Sequence, residues 1–147
     1  MTQKLSDTIF HIYFSPYTGH ALKIGGVRYA TLEHAYQCAR YDDERIREEI
    51  LGAPSAVEAW KVSSKYKNLQ IPDFREHKFE VMKDLARIKI EQHEDVRQAL
   101  LDSGDDEIIK NIVTGPPGDG VWDGGLDGTG ENKMGKMWME LRGELNK

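Results

Sequence analysis

Apolar positions along this chain recur first with a short period and then with a helical one. Thr8 to Phe14, TIFHIYF, is β-branched and aromatic with partial alternation, which predicts a short strand after a polar tail over residues 1–7. SPYTGHA interrupts it, since Pro16 lacks a backbone donor and Gly19 favours a turn. Ala21–Ile24 and Val27–Ala30 then read as a hairpin, with Gly25-Gly26 supplying the positive φ its turn requires. From Thr31 the spacing becomes helical. TLEHAYQCARY, Thr31 to Tyr41, predicts a short helix capped by the Thr31 hydroxyl. Leu32, Ala35 and Ala39 share one stripe of it. Glu33, Tyr36, Gln37 and Arg40 follow three- and four-residue steps along a neighbouring stripe.

Four more helices precede a long loop. Residues 42–51 carry an acidic start, an Ile46, Ile50, Leu51 stripe and Gly52 as a glycine C-cap. Ser55 and Glu58 form a capping box for a helix to about Tyr66. Pro72 and Asp73 introduce the longest, Phe74 to about Gln92, on which Met82, Leu85 and Lys89 share a face. Glu94–Asp102 gives a short one that stops at Ser103-Gly104. Glu107–Val113, EIIKNIV, fits either a strand or a helix end, and periodicity does not separate them. Gly115 to Gly130 is a glycine-rich loop holding Trp122. After it Glu131 opens a helix with the stripe Met134, Met137, Trp138, Leu141 and Leu145. The fold class expected is mainly α with a small β-sheet or hairpin, in a single domain over 1–147.

Composition narrows the function classes. At 147 residues the chain can bury a core without staples, and its one cysteine, Cys38, excludes an intrachain disulfide. The amino terminus has no signal-peptide pattern and no apolar run reaches membrane-spanning length, so a soluble, cytoplasmic protein is expected. A net charge of -5 argues against non-specific polynucleotide binding, which needs clustered Lys and Arg. The five histidines show no ligand spacing, so no metal is expected. His34 and Cys38 are one helical turn apart, but with no third orienting group Cys38 reads as a small buried hydrophobe.

Three residues or stretches invite chemistry. The glycine-rich loop lacks P-loop and dinucleotide spacing, and its Asp119, Asp123 and Asp127 oppose a phosphate. Those acids also fall at the wrong intervals for a calcium loop. Trp122 within it suits stacking on a base or sugar ring. Lys89 points toward apolar company. It either snorkels, with its ammonium in water, or is desolvated in a pocket as a nucleophile. Lys61, Lys65 and Lys67 suit the carboxyl end of their helix.

Three blocks, SPYTGHALKIGGVRYATLEHAYQCARY, PDFREHKFEVMKDLARIKIEQHEDVRQALLDSG and GDGVWDGGLDGTGENKMGKMWMELRGEL, together resemble the YbiA-like, or NADAR, family of small N-glycosidases. The resemblance runs from about residue 9 to 145. It implies a mostly helical fold with a small sheet and cleavage of a ribosyl C–N bond. The substrates it implies are ribosylamino-pyrimidine phosphates of early riboflavin synthesis, or ADP-ribosylated guanine. Glu33, Gln37, Asp119, Trp122, Asn132 and Arg142 match family positions, with Phe74 where Trp is common. Arg40 replaces the usual Lys, Lys110 stands where an acid is frequent, and Asp123 follows Trp122 where Gly is usual.

The residues suit that chemistry. Breaking an N-glycosidic bond builds oxocarbenium character, which one carboxylate stabilises while another moves a proton, and Glu33 and Asp119 are the pair expected to do this. Alternatively a lysine attacks the anomeric carbon and forms an imine, Lys89 first and Lys61 behind it. Trp122, Tyr36 and Phe74 would stack on base or ribose, and Arg40 and Arg142 would hold phosphate. Gln37 and Asn132 complete the substrate contacts. No cofactor is expected, and the partner is a small nucleotide or ribose phosphate, or an ADP-ribosylated nucleic acid. Two other classes stay open: a nucleotide-binding module without turnover, and an interaction domain that uses the glycine-rich loop.

Overall fold

The computed structural model describes residues 3–111, 120–125 and 128–147. In chain order its elements are α1 (Asp7–Ile9, running into a π turn, Phe10–Phe14), β1 (Leu22–Ile24), β2 (Val27–Tyr29), α2 (Leu32–Cys38), α3 (Glu44–Leu51), α4 (Ala56–Lys65), a 3-10 turn (Lys67–Leu69), α5 (Phe74–Gln92), α6 (Glu94–Asp102) and α7 (Lys133–Leu145). The fold is mainly α with one small antiparallel hairpin. Contacts divide the chain into two compact units, one formed by residues 16–92 and the other by 1–15 with 93–147.

The 16–92 unit is arranged around α2. All seven residues of that helix are buried, and α3, α4, α5 and β2 pack on it. Thr31 caps it as expected, its hydroxyl accepting from the His34 amide at 3.1 Å. The other end needs partners for its last carbonyls, and Arg47 of α3 supplies them by donating to Cys38 O and Tyr41 O, both at 3.2 Å. The hairpin pairs Leu22 with Tyr29 and Ile24 with Val27. Gly25 and Gly26 both take positive φ, the condition a two-residue type I′ turn sets. Ser55 accepts from the Glu58 amide at 3.1 Å, starting α4 where the capping pattern placed it. Gly52 does stand at the end of α3, but with φ -79 it stays right-handed rather than forming a left-handed cap.

The other unit corrects the expected strand at Thr8–Phe14, which is helical. Alternation would turn Phe10, Ile12 and Phe14 to one side, yet Phe10 and Phe14 are buried while Ile12 is 50% exposed. Ser6 caps the turn by accepting from the Ile9 amide, and the Ser15 amide donates to Phe10 O at the wider π spacing. Phe14 packs on Trp138 of α7 with ring centroids 5.0 Å apart. That tertiary contact outweighs local β propensity. The expected polar tail is also engaged. The Leu5 amide donates to Glu107 O and the Glu107 amide to Gln3 O, a parallel bridge that makes the start of EIIKNIV extended. Of the α7 stripe, Met134, Met137, Trp138 and Leu141 are buried, while Leu145 in the last turn is only half-buried.

Candidate active site

In the 16–92 unit an acid and an amine are tied to three consecutive residues. Glu33 lies in the first turn of α2, only 6% exposed, and its amide donates to Pro16 O at 3.1 Å. Burial, and then the charge of Glu33, hold the Tyr17 phenol above its ordinary pKa. Lys89 is 0% exposed and donates from Nζ to the Thr18 hydroxyl at 2.8 Å. Snorkelling is therefore excluded, because the ammonium end is not in water. The Pro16–Thr18 strap thus bonds to the Glu33 backbone through Pro16 and to the Lys89 amine through Thr18.

In the same unit Arg40, just past the end of α2, forms a cationic aromatic cluster with Tyr36 of α2 and Phe74 of α5. The Arg40 guanidinium carbon sits 4.9 Å from the Tyr36 ring centre and 4.8 Å from that of Phe74. Its terminal nitrogens donate to Gln70 Oε1 at 3.0 Å and to the Tyr36 hydroxyl at 3.3 Å. Its Nε is buried without an acceptor among the described residues. Five N–H donors leave capacity for an anion beyond those two bonds. Gln37 is buried on the same helix. Lys61, by contrast, is exposed and paired with Glu58 at 3.4 Å on the surface of α4.

The second unit holds Trp122, Asn132 and Arg142, while Asp119 lies outside the described residues. Trp122 is half-buried. Asn132, left-handed at φ 51, accepts from the Lys110 amide and donates to Ile108 O, both at 2.9 Å. Its amide thereby pins the extended 108–110 segment to the start of α7. Arg142 clamps the end of α6, one terminal nitrogen donating to Ser103 Oγ and Asp106 O at 2.9 Å each. Asp123, unusual in the family pattern, is buried and folds its own loop by accepting from the Gly125 amide at 2.8 Å and the Gly120 amide at 3.3 Å. Among the described residues no group of three His, Cys, Asp or Glu could hold a metal, and no helix is long and apolar enough to cross a membrane.

His34 and Cys38 are structural. His34 joins Thr31 Oγ1 through Nδ1 at 2.8 Å and Ala53 O through Nε2 at 3.0 Å. Burial pushes the Cys38 thiol up to about 11, with Arg47 pulling it down and Glu44 adding a smaller rise. A raised thiol pKa favours the folded state below the ordinary thiol value, and that contribution is lost as pH rises toward about 11. Native protein at about pH 8 is expected to react far more slowly with a disulfide reagent than unfolded protein. Equal rates, followed by absorbance of the released thiolate, would contradict this.

Sequence reasoning passed over Tyr17, Thr18 and His20, reading SPYTGHA as a break. The available signal was the polar pair Thr18 and His20 flanking Gly19, inside the first block of the resemblance.

The NADAR domain model matches residues 4–146, nearly the whole chain. The chain is 29% identical to the N-glycosidase YbiA of Escherichia coli, over 96% of this chain and 91% of that protein. It is 30% identical to a riboflavin biosynthesis protein of Vibrio vulnificus over 92% of this chain, and spans only 36% of that longer protein. An N-glycosidase of Nostoc punctiforme is 29% identical over 90% of this chain and 84% of its own length. The solution structure of Escherichia coli YbiA superposes with a TM-score of 0.83 at 27% identity, covering 99% of this chain and 87% of that one.

Proposed function

Because the chain belongs to the NADAR domain family, we propose that it is an N-glycosidase that hydrolyses the C–N bond between a ribose and a base or amine. The observation that carries this is the strap, which bonds the backbone of the buried Glu33 at Pro16 and the amine of the buried Lys89 at Thr18. The substrate favoured is a ribosylamino-pyrimidine phosphate, in keeping with the name of the Vibrio relative. ADP-ribosylated guanine is the second choice, from the family resemblance.

In this reading the Lys89 amine attacks the sugar's anomeric carbon in its open-chain imine form. The leaving amine departs as the lysine imine forms, and water then releases the sugar phosphate and restores the amine. Glu33 moves protons and stabilises positive charge at that carbon. Asp119 is the second carboxylate on the family motif alone. Tyr36 and Phe74 supply ring contacts, Gln37 a polar contact, and Arg40 the phosphate contact, and Trp122 is a substrate residue on the family motif alone. Arg142 and Asn132 serve mainly to hold their own unit together, given how their polar atoms are spent.

The test is incubation with each substrate class, measuring released ribose phosphate or ADP-ribose, with borohydride added in parallel. Release together with a reduced adduct on the Lys89 peptide is expected. Release without an adduct would remove the lysine and leave a carboxylate mechanism. A ligand that raises the melting temperature with no product would instead favour the binding module.

A further inference from the structure

Lys89 does not end at Thr18. The Thr18 hydroxyl also lies 2.6 Å from His20 Nδ1, so the amine, the hydroxyl and the imidazole form a continuous chain. A threonine hydroxyl has one hydrogen and two lone pairs. The ammonium can only donate, so it occupies a lone pair and leaves the hydroxyl hydrogen for His20. With His20 Nδ1 as the acceptor, the chain runs in one direction, from Lys89 through Thr18 to His20.

A lysine attacks carbon only after its ammonium proton has gone, and Lys89 is 0% exposed, so bulk water does not take that proton directly. Imidazole is the side chain that exchanges protons near neutrality, and His20 is half-buried, with part of its surface open to solvent. We propose that Thr18 and His20 are positioning residues that form a proton relay preparing Lys89 as the nucleophile, an inference that rests on the lysine route above. As one Lys89 N–H bond breaks, Thr18 gains that hydrogen and passes its own to His20 Nδ1. Neutral amine and imidazolium are left, and no charge is created or lost. Once the imine has been hydrolysed and the amine restored, the imidazolium returns the proton by the same path or loses it to water.

Two measurements test the relay. Nitrogen NMR of the histidines in the free protein should find neutral His20 protonated at Nε2. An Nδ1–H form would make the hydroxyl accept from both sides and overturns the relay whatever the reaction. The second uses ribose 5-phosphate as probe, with borohydride, following the rate of reduced adduct on the Lys89 peptide. Thr18→Val and His20→Gln should each slow trapping about tenfold or more at saturating probe. Thr18→Ser, which keeps the hydroxyl, should stay within about twofold of the parent rate. Unchanged trapping in both slow-side variants overturns the relay while leaving the lysine route standing. No Lys89 adduct in the unaltered protein overturns both.

Discussion

Replacing Glu33 by glutamine should lower N-glycosidase turnover by about two to four orders of magnitude, the range a positioned acid or base supplies. The substitution keeps the size of the side chain in a site only 6% exposed, and the Thr31 cap and the backbone bond to Pro16 do not involve the carboxylate. The far-ultraviolet spectrum and cooperative melting should therefore persist. A charge at the first turn of a helix also favours the dipole, so a loss of a few tenths of a kcal/mol would be ordinary. The decisive figure is kcat with KM unchanged. A folded Glu33→Gln protein with parental kcat would take this carboxylate out of the chemistry.

The largest stability effect should come from Gly135→Ala in α7. A β-carbon there would fall on Ile108 O, and would lie 2.5 Å from Asn132 Nδ2 and 2.7 Å from Asn132 Oδ1. These are the groups through which Asn132 holds the 108–110 segment, so neither backbone nor amide can give way without breaking that link. Overpacking of this kind costs about 3 kcal/mol. For a chain of this size that lowers the melting temperature by about 6 to 12 °C. Gly143→Ala in the same helix is the control. Nothing lies within 4 Å of its added carbon, and helix propensity alone should raise stability by up to about 1 kcal/mol. Calorimetry that found the two equal would show that Gly135 is not a close-approach position.

What could be read from the sequence follows how local the causes were. The Ser55 capping pattern and the Gly25-Gly26 turn were legible because their physics is confined to neighbours. The special character of α2 was legible too, as a stripe of acid, phenol, amide and guanidinium that a solvated face did not need. Thr8–Phe14 was misread because Phe14 answers to Trp138, far along the chain. Lys89 stood on a face that spacing identified, but only the packing separated a buried ammonium from a snorkelling one. The Pro16–His20 strap was missed because its polar residues have no period. The departure at Asp123 also became intelligible only in three dimensions, as a buried carboxylate that gathers two loop amides.

One unit is a continuous run of chain and the other is assembled from both ends. Synthesis on the ribosome therefore completes residues 16–92 well before α7 exists. Phe10 and Phe14 are made more than a hundred residues before Trp138, whose ring packs on Phe14. Until Trp138 has been made, Phe14 lacks that ring contact, and the aromatic turn is a natural place for a holding chaperone to bind.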